Sequence, residues 1–340
     1  LSRNSTPNAV IFGCAGANLT AEERRFFARA NPFGFILFAR NIFNLAQVCA
    51  LVDELRATVL RGAPVLIDQE GGRVQRLKPP HWKKRPPMAQ FAKLAADDLP
   101  AARRAVRANS RLIAHDLAEL GIDVDCAPVL DVPVAGSHDI IGDRAFGDDP
   151  LLIADLGRAS MDGLLDGGVM PVVKHCPGHG RARVDSHSEL PVVDSDRETM
   201  ERSDFVPFRS LRDAPWAMTA HVVYTAIDAT RPATLSPLVV QSVIRDAIGF
   251  DGLLLTDDLS MGALKGSLEE RARLSLAAGC DVALHCNGNK VEMESVLKGV
   301  EPLSEAALDR VANAKAMLRR KPLSGGEQAL VDTVLAGSAS

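Results

Sequence analysis

The sequence has no uninterrupted apolar run of the ~20 residues that a membrane-spanning helix needs. It has no long basic block either: 39 Lys and Arg against 43 Asp and Glu leave a formal net charge of −4. That balance argues against a general nucleic-acid or anionic-membrane surface. The nearest basic cluster, Lys83, Lys84 and Arg85, lies in PPHWKKRPP, where the flanking prolines predict a rigid exposed loop. The cysteines (Cys14, Cys49, Cys126, Cys176, Cys280, Cys286) include no C-x-x-C pair, and several sit inside apolar runs, where a thiol packs as a small hydrophobe. A reducing, cytoplasmic setting is expected rather than a disulfide framework. No leader-like segment precedes the first apolar run. No repeat, low-complexity block or linker divides the 340 residues. The zinc-protease helix motif and the G-x-x-x-x-G-K-[ST] phosphate loop are both missing, so neither a metal nor a cofactor is expected.

What is present is a core-forming composition, 46% hydrophobic and 24% charged, arranged in a repeating order. A short apolar run is followed by a polar turn and then by a helical period. Runs at 9–16, 34–40, 64–72, 123–132, 170–180, 216–224, 252–261 and 281–287 give eight strand candidates, most with a helical segment after them. The runs are continuous rather than alternating, as in strands buried on both faces of a parallel sheet. This succession predicts a single α/β domain over 1–340, a (β/α)8 barrel, with 322–340 as an extra helix or tail. Thr20 followed by Glu23 predicts a capping box at the first helix.

The apolar runs end in chemically useful side chains: Asp68, Lys174 with His175, His221, Asp257 and His285. In a barrel these ends converge on one face. Asp68 and Glu70, two apart, would share a face of a strand, with Arg73 and Arg76 placed to neutralise them. Taken alone, the pair reads as a salt-bridged turn. Arg144, in GDRAFG, offers a planar fork for neighbouring oxygens, but by itself reads as a loop arginine paired with Asp143 or Asp148. Asp257 and Asp258 are adjacent, so at most one is expected to face the site, with helix capping an alternative for the other.

The stretch VVKHCPGHGRARVDSH gathers three histidines, a lysine and an aspartate. His175 and His179 are four apart, but Pro177 and Gly178 rule out a regular helix between them. Metal binding therefore has no recognisable spacing there. Asp185 and His187, two apart in an extended loop, can lie on one side. The carboxylate would then orient the imidazole and stabilise its protonated form, making an acid/base unit. A solvated loop with incidental polar residues is the plainer reading of so short a motif. Pro177 to Gly180 read as the hinge of the loop, and His179 has no evident role beyond loop packing.

KHCPGHGRARVDSH resembles the K-H-F-P-G-H-G…D-x-H signature of bacterial family 3 β-N-acetylhexosaminidases of the NagZ type. IDQEGGRVQR, GDRAFG, MTAHVVY, ATLSP and LLLTDDLSMGAL match that family's other motifs in the same order, over about residues 9 to 290. The resemblance implies a retaining exo-enzyme that removes terminal N-acetylglucosamine from cytoplasmic muropeptides during cell-wall recycling. It implies Asp257 as nucleophile, His187 as acid/base oriented by Asp185, and Asp68, Arg76, Arg144, Lys174 and His175 as sugar-binding residues. The implied partner is a small glycoside, handled by a monomer without nucleic acid, membrane, metal or cofactor. Cys176 departs from the family's usual phenylalanine. Alternatives of the same family are a β-glucosidase, against which the D-x-H pair argues, and a β-N-acetylglucosaminide phosphorylase. One of another class is a metal-dependent barrel hydrolase.

Overall fold

The computed structural model describes residues 6–336. Eight strands, β1 (Asn8–Gly13), β2 (Pro32–Leu37), β3 (Val65–Ile67), β4 (Val124–Asp125), β5 (Met170–Cys176), β6 (Trp216–Thr219), β7 (Leu253–Asp258) and β8 (Val282–His285), close in sequence order into a parallel barrel. Each apolar run of the sequence holds one of them. The fourth is short because the Ala127 N–H turns back to the Asp125 carbonyl, at 2.8 Å, instead of continuing the ladder. Pairing resumes at the bridge between Val129 and Lys174.

Side chains along each strand take two faces. Ile11, Leu66, Val172, Met218, Leu255 and Leu284 fill the barrel interior, while Val10, Val65, Ile67 and Ala283 pack outward against helices. Asp68, Lys174 and Asp257 each lie two residues beyond an interior side chain, so the period of two carries them to the barrel mouth.

Around the barrel lie α1 (Ala21–Ala30), α2 (Leu45–Val59), α3 (Met88–Asp97), α4 (Leu99–Glu119), α5 (Pro150–Gly167), α6 (Arg197–Arg202) and α7 (Phe205–Ser210). A wide π-type helix at Val239–Ala247 precedes α8 (Leu268–Ala278), α9 (Lys290–Lys298), α10 (Glu305–Ala316) and α11 (Glu327–Ala336). Among the described residues no helix is long and apolar enough to cross a membrane. The capping box is formed: the Thr20 hydroxyl accepts from the Glu23 N–H, and the Glu23 carboxylate accepts from the Thr20 N–H. The side chains of Asn44, Asp98, Asp149, Ser267, Asn289 and Ser304 each accept a first-turn N–H of a later helix.

One feature differs from the expectation. Arg85 is not on an exposed loop. It is 2% exposed, paired with Asp116 at 2.7 Å and bonded to Gln328 of α11 at 3.3 Å. Lys83 and Lys84 of the same proline-framed segment are exposed as expected, and its Arg85 end is tucked against the C-terminal helix. Residues 337–340 of the expected tail lie outside the described residues.

Candidate active site

The mouth at the C-terminal ends of the strands is a cleft of about 310 Å³, lined by Asp68, Glu70, Arg76, Arg144, Lys174, His175, His179, His187 and Asp257. All the site residues that the resemblance implies except Asp185 line it directly, and Asp185 sits behind His187. Among the described residues no group of three or more His, Cys, Asp and Glu side chains is arranged to hold a metal ion.

One side of the cleft is a charge cluster. Lys174 Nζ donates to Asp68 at 2.9 Å and lies 2.6 Å from Glu70. Arg76 reaches Asp68 at 3.0 Å. Arg144 clasps Glu70 through two bonds of 2.8 and 2.9 Å. Burial works against charge on Asp68, but Lys174 and Arg76 outweigh it and hold the carboxyl far below its ordinary range. Glu70 is likewise buried, yet Arg144 and Lys174 bring it down to about 2. Burial opposes the Lys174 charge, and its two carboxylates reverse that and keep it protonated. The neutralising set thus differs from the expected one. Arg73 turns away to Asp143 at 2.9 Å, and Arg144 takes its place on Glu70 instead of pairing with Asp143 or Asp148.

Asp257 stands at the end of β7. Its carboxylate accepts the Asp258 N–H at 2.8 Å. Burial raises its pKa, but nearby His221 and His175, then that N–H and Lys174, outweigh the penalty and leave it lowered. Asp258 also borders the cleft, but its carboxylate is occupied by Ser260 (N–H 3.0 Å, hydroxyl 2.7 Å) and by the Cys286 N–H at 3.2 Å. Of the adjacent pair, Asp258 is therefore the structural one.

Opposite lies the loop after β5. Asp185 Oδ1 accepts both the backbone N–H of His187, at 2.9 Å, and its ring Nδ1, at 2.7 Å. The imidazole side chain is 64% exposed. Burial opposes charge on Asp185, but its bonds to His187 hold its carboxyl below the usual range. The segment Pro177–Gly180 is not a hinge. It is buried, the Tyr224 hydroxyl donates to the Gly178 carbonyl at 2.7 Å, and a Cβ on Gly180 would fall 2.0 Å from the Val132 carbonyl oxygen. Its glycine allows close backbone approach rather than movement. Exposed chain begins at Arg183.

Two residues acquire places that the sequence did not give them. Asp131, wholly buried, bonds His175 Nδ1 at 2.7 Å and the His179 N–H at 2.6 Å. Burial resists its charge, but His175 brings it down to about 2. A carboxylate at Nδ1 leaves His175 Nε2 for a ligand. Asp131 ends the fourth apolar run, so the strand-end rule that picks Asp68 would have found it. His179 bonds Ser186 at 3.1 Å, and burial with His175 nearby lowers its pKa to about 4, so the ring is neutral. It anchors the loop. His221 and His285, two of the expected strand ends, lie behind the cleft. His221 bonds the Asp258 carbonyl and Thr234, and His285 is buried edge-on to Phe12.

Residues 10–318 match the glycosyl hydrolase family 3 N-terminal domain. A β-hexosaminidase of Thiobacillus denitrificans is 39% identical over 324 residues, 93% of this chain and 86% of that protein. One of Idiomarina loihiensis is 36% identical over 329 residues, 94% of this chain and 98% of that protein. Among solved structures, NagZ from Neisseria gonorrhoeae in complex with N-trifluoroacetyl-D-glucosamine aligns with a TM-score of 0.87 at 32% identity, covering 98% of this chain and 99% of that one. A barrel matched from end to end, with its polar residues gathered at one mouth, places the chain: it belongs to glycosyl hydrolase family 3, among its NagZ-type β-hexosaminidases.

Proposed function

We propose that the protein is a retaining exo-β-N-acetylglucosaminidase that releases terminal N-acetylglucosamine from muropeptides (GlcNAc-1,6-anhydroMurNAc-peptides) in the cytoplasm, as a step of cell-wall recycling. The observation that carries this reading is the pairing of an ionised, recessed Asp257 with an exposed, carboxylate-bound His187 across one cleft. Asp257 attacks the anomeric carbon and the glycosidic C–O bond breaks. The His187 imidazolium protonates the departing oxygen and becomes neutral. In the second step His187 takes a proton from water, the hydroxyl oxygen bonds to the anomeric carbon, and Asp257 leaves as carboxylate. Two inversions retain the β configuration.

Asp185 stabilises the cationic ring in the first step. Asp68, Arg76, Arg144 and Lys174 hold sugar hydroxyls in a cluster whose charges are already compensated, and His175 contributes Nε2. Such contacts away from the reacting bond supply binding energy for ring distortion. The relatives named β-hexosaminidase and the neighbour holding an N-acylated glucosamine support the acetamido sugar. The free cysteines suit a reducing compartment.

The test is to trap the enzyme with a 5-fluoro N-acetylglucosaminyl donor and map the adduct by mass spectrometry. Label is expected on Asp257, and label on any other residue overturns the assignment. Nitrophenyl N-acetyl-β-glucosaminide should turn over far faster than nitrophenyl β-glucoside, and the reverse order would make the protein a β-glucosidase. A neutral imidazole at the second step also does not repel an anion as a carboxylate would. Phosphate should therefore compete with water to some degree, a reading that fails if product analysis in phosphate shows free sugar alone.

A further inference from the structure

The end of the barrel away from the catalytic mouth holds a larger cleft, of about 650 Å³. That is the size of an ordinary small-molecule pocket, roughly 300–1,000 Å³. It lies between the N-terminal strand ends and α10. Phe33 and Trp216, with ring centroids 5.7 Å apart, form one wall, and Leu303, Val311 and Leu318 form the other. Between this cleft and the catalytic one the barrel is filled by buried side chains such as Leu66, Val172 and Leu255. The floor cleft is therefore not part of the sugar site.

Its polar groups are unbalanced. Trp216 is 2% exposed, and its indole N–H meets no acceptor among the described residues. A buried donor left unpaired is costly and uncommon. Arg61 donates to the carbonyls of Phe33, at 2.9 Å, and Pro32, and its Nε–H meets no acceptor among the described residues. No carboxylate pairs with it among the described residues, and burial lowers its pKa to about 10. Lys315 and Arg320 also line the cleft, and neither has an ion-pair partner among the described residues. The acid present, Asp123, is engaged elsewhere, by Arg56 at 3.2 Å and by the Val65 N–H at 2.7 Å. The lining thus brings Lys315 and Arg320, with the carbonyl-bound Arg61 beside them, to an apolar slot, and an unpaired indole N–H lies buried in its wall.

We propose that this floor cleft is a second ligand site, for a small molecule with an apolar body and one carboxylate. The carboxylate would pair with the cationic rim of Arg61, Lys315 and Arg320. The apolar body would lie between the aromatic wall and α10. A neutral lipophile would leave the rim cations unpaired, and a sugar would waste the apolar walls.

Trp216 is itself the reporter. The chain has two tryptophans, so Trp82→Phe leaves Trp216 as the sole indole. Octanoate is titrated into this variant with N-acetylglucosamine present in excess, and octan-1-ol serves as the uncharged control. A saturable change in Trp216 emission is expected with octanoate despite the sugar. Octanol, and octanoate on an added Arg61→Leu change, should bind about tenfold or more weakly, the factor for one charge-assisted hydrogen bond. If Arg61→Leu does not fold, Lys315→Ala with Arg320→Ala should weaken octanoate in the same direction. No saturable change up to the solubility of octanoate, equal binding of octanol, or displacement by the sugar would overturn the proposal.

Discussion

Asp257 is recessed and His187 stands in solvent, and variants should separate their roles. Removing a general acid costs about 10²–10⁴-fold, but only where the leaving group needs its proton. His187→Ala should therefore lower kcat/KM by that factor for an alkyl or sugar aglycone and much less for a dinitrophenyl glycoside. Equal losses for both would remove His187 from the proton transfer. A second residue acts through pH. Asp125, wholly buried, accepts the Gln69 N–H at 2.9 Å through Oδ1, while Oδ2 has no partner among the described residues. Burial, opposed in part by that N–H and Lys174, raises its carboxyl to about 7, against ~3.9 in an unfolded chain. The folded state then holds this proton more tightly, so the contribution is full at low pH and is lost as pH rises through about 7. Asp125→Asn should be close to neutral near pH 4 and stabilising by about 1–4 kcal/mol at pH 8, read from urea unfolding at both values. A difference that does not change with pH would show that this carboxyl does not titrate there. Asp68, Lys174 and Asp257 were legible in the sequence because each ends an apolar run. The Glu70–Arg144 clasp was not, because it joins residues 74 apart in the chain, and separation along the chain carries no periodic signal. Asp131 was equally legible, since it closes the fourth run, but what it does was not, because its partners His175 and His179 lie 44 and 48 residues away.

At the level of elements, the strands and capped helices announced themselves through period and cap residues. The loop after β5 was misread, since Pro and Gly look alike in sequence whether they permit a hinge or a close approach. Its exposed portion is clipped at one more point: the N–H groups of Gly262 and Ala263, after β7, donate to the carbonyls of His187 at 3.0 Å and Ser186 at 3.2 Å. A Cβ on Gly262 would lie 2.8 Å from the Ser188 carbonyl oxygen and 2.9 Å from that of His187. Gly262→Ala should push the acid/base loop away from the nucleophile. The expected result is a fall in kcat of about 10–100-fold, the scale of an ångström-sized misplacement, with Tm lowered by no more than about 4 °C. Unchanged kcat would mean that the loop does not rest on this contact during turnover.

For the whole molecule, α11 is a strap on α3 and α4 rather than part of the barrel wall. Glu327 pairs with Arg111 at 2.7 Å, and Val331 is fully buried against Ala108 and Leu112. Val331→Ala should cost about 1–3 kcal/mol in urea unfolding while KM for a nitrophenyl glycoside stays at the wild-type value. A change in KM would tie the strap to the site. The barrel interior has a different consequence. Its side chains stack from floor to mouth without a channel, so the two ends are separate compartments, each exchanging with bulk water by its own door. A molecule lodged at the floor cannot wander to the mouth or crowd a sugar there. Whatever it did to turnover would have to pass through the strands as a mechanical load, and flooding the mouth with substrate would not relieve it.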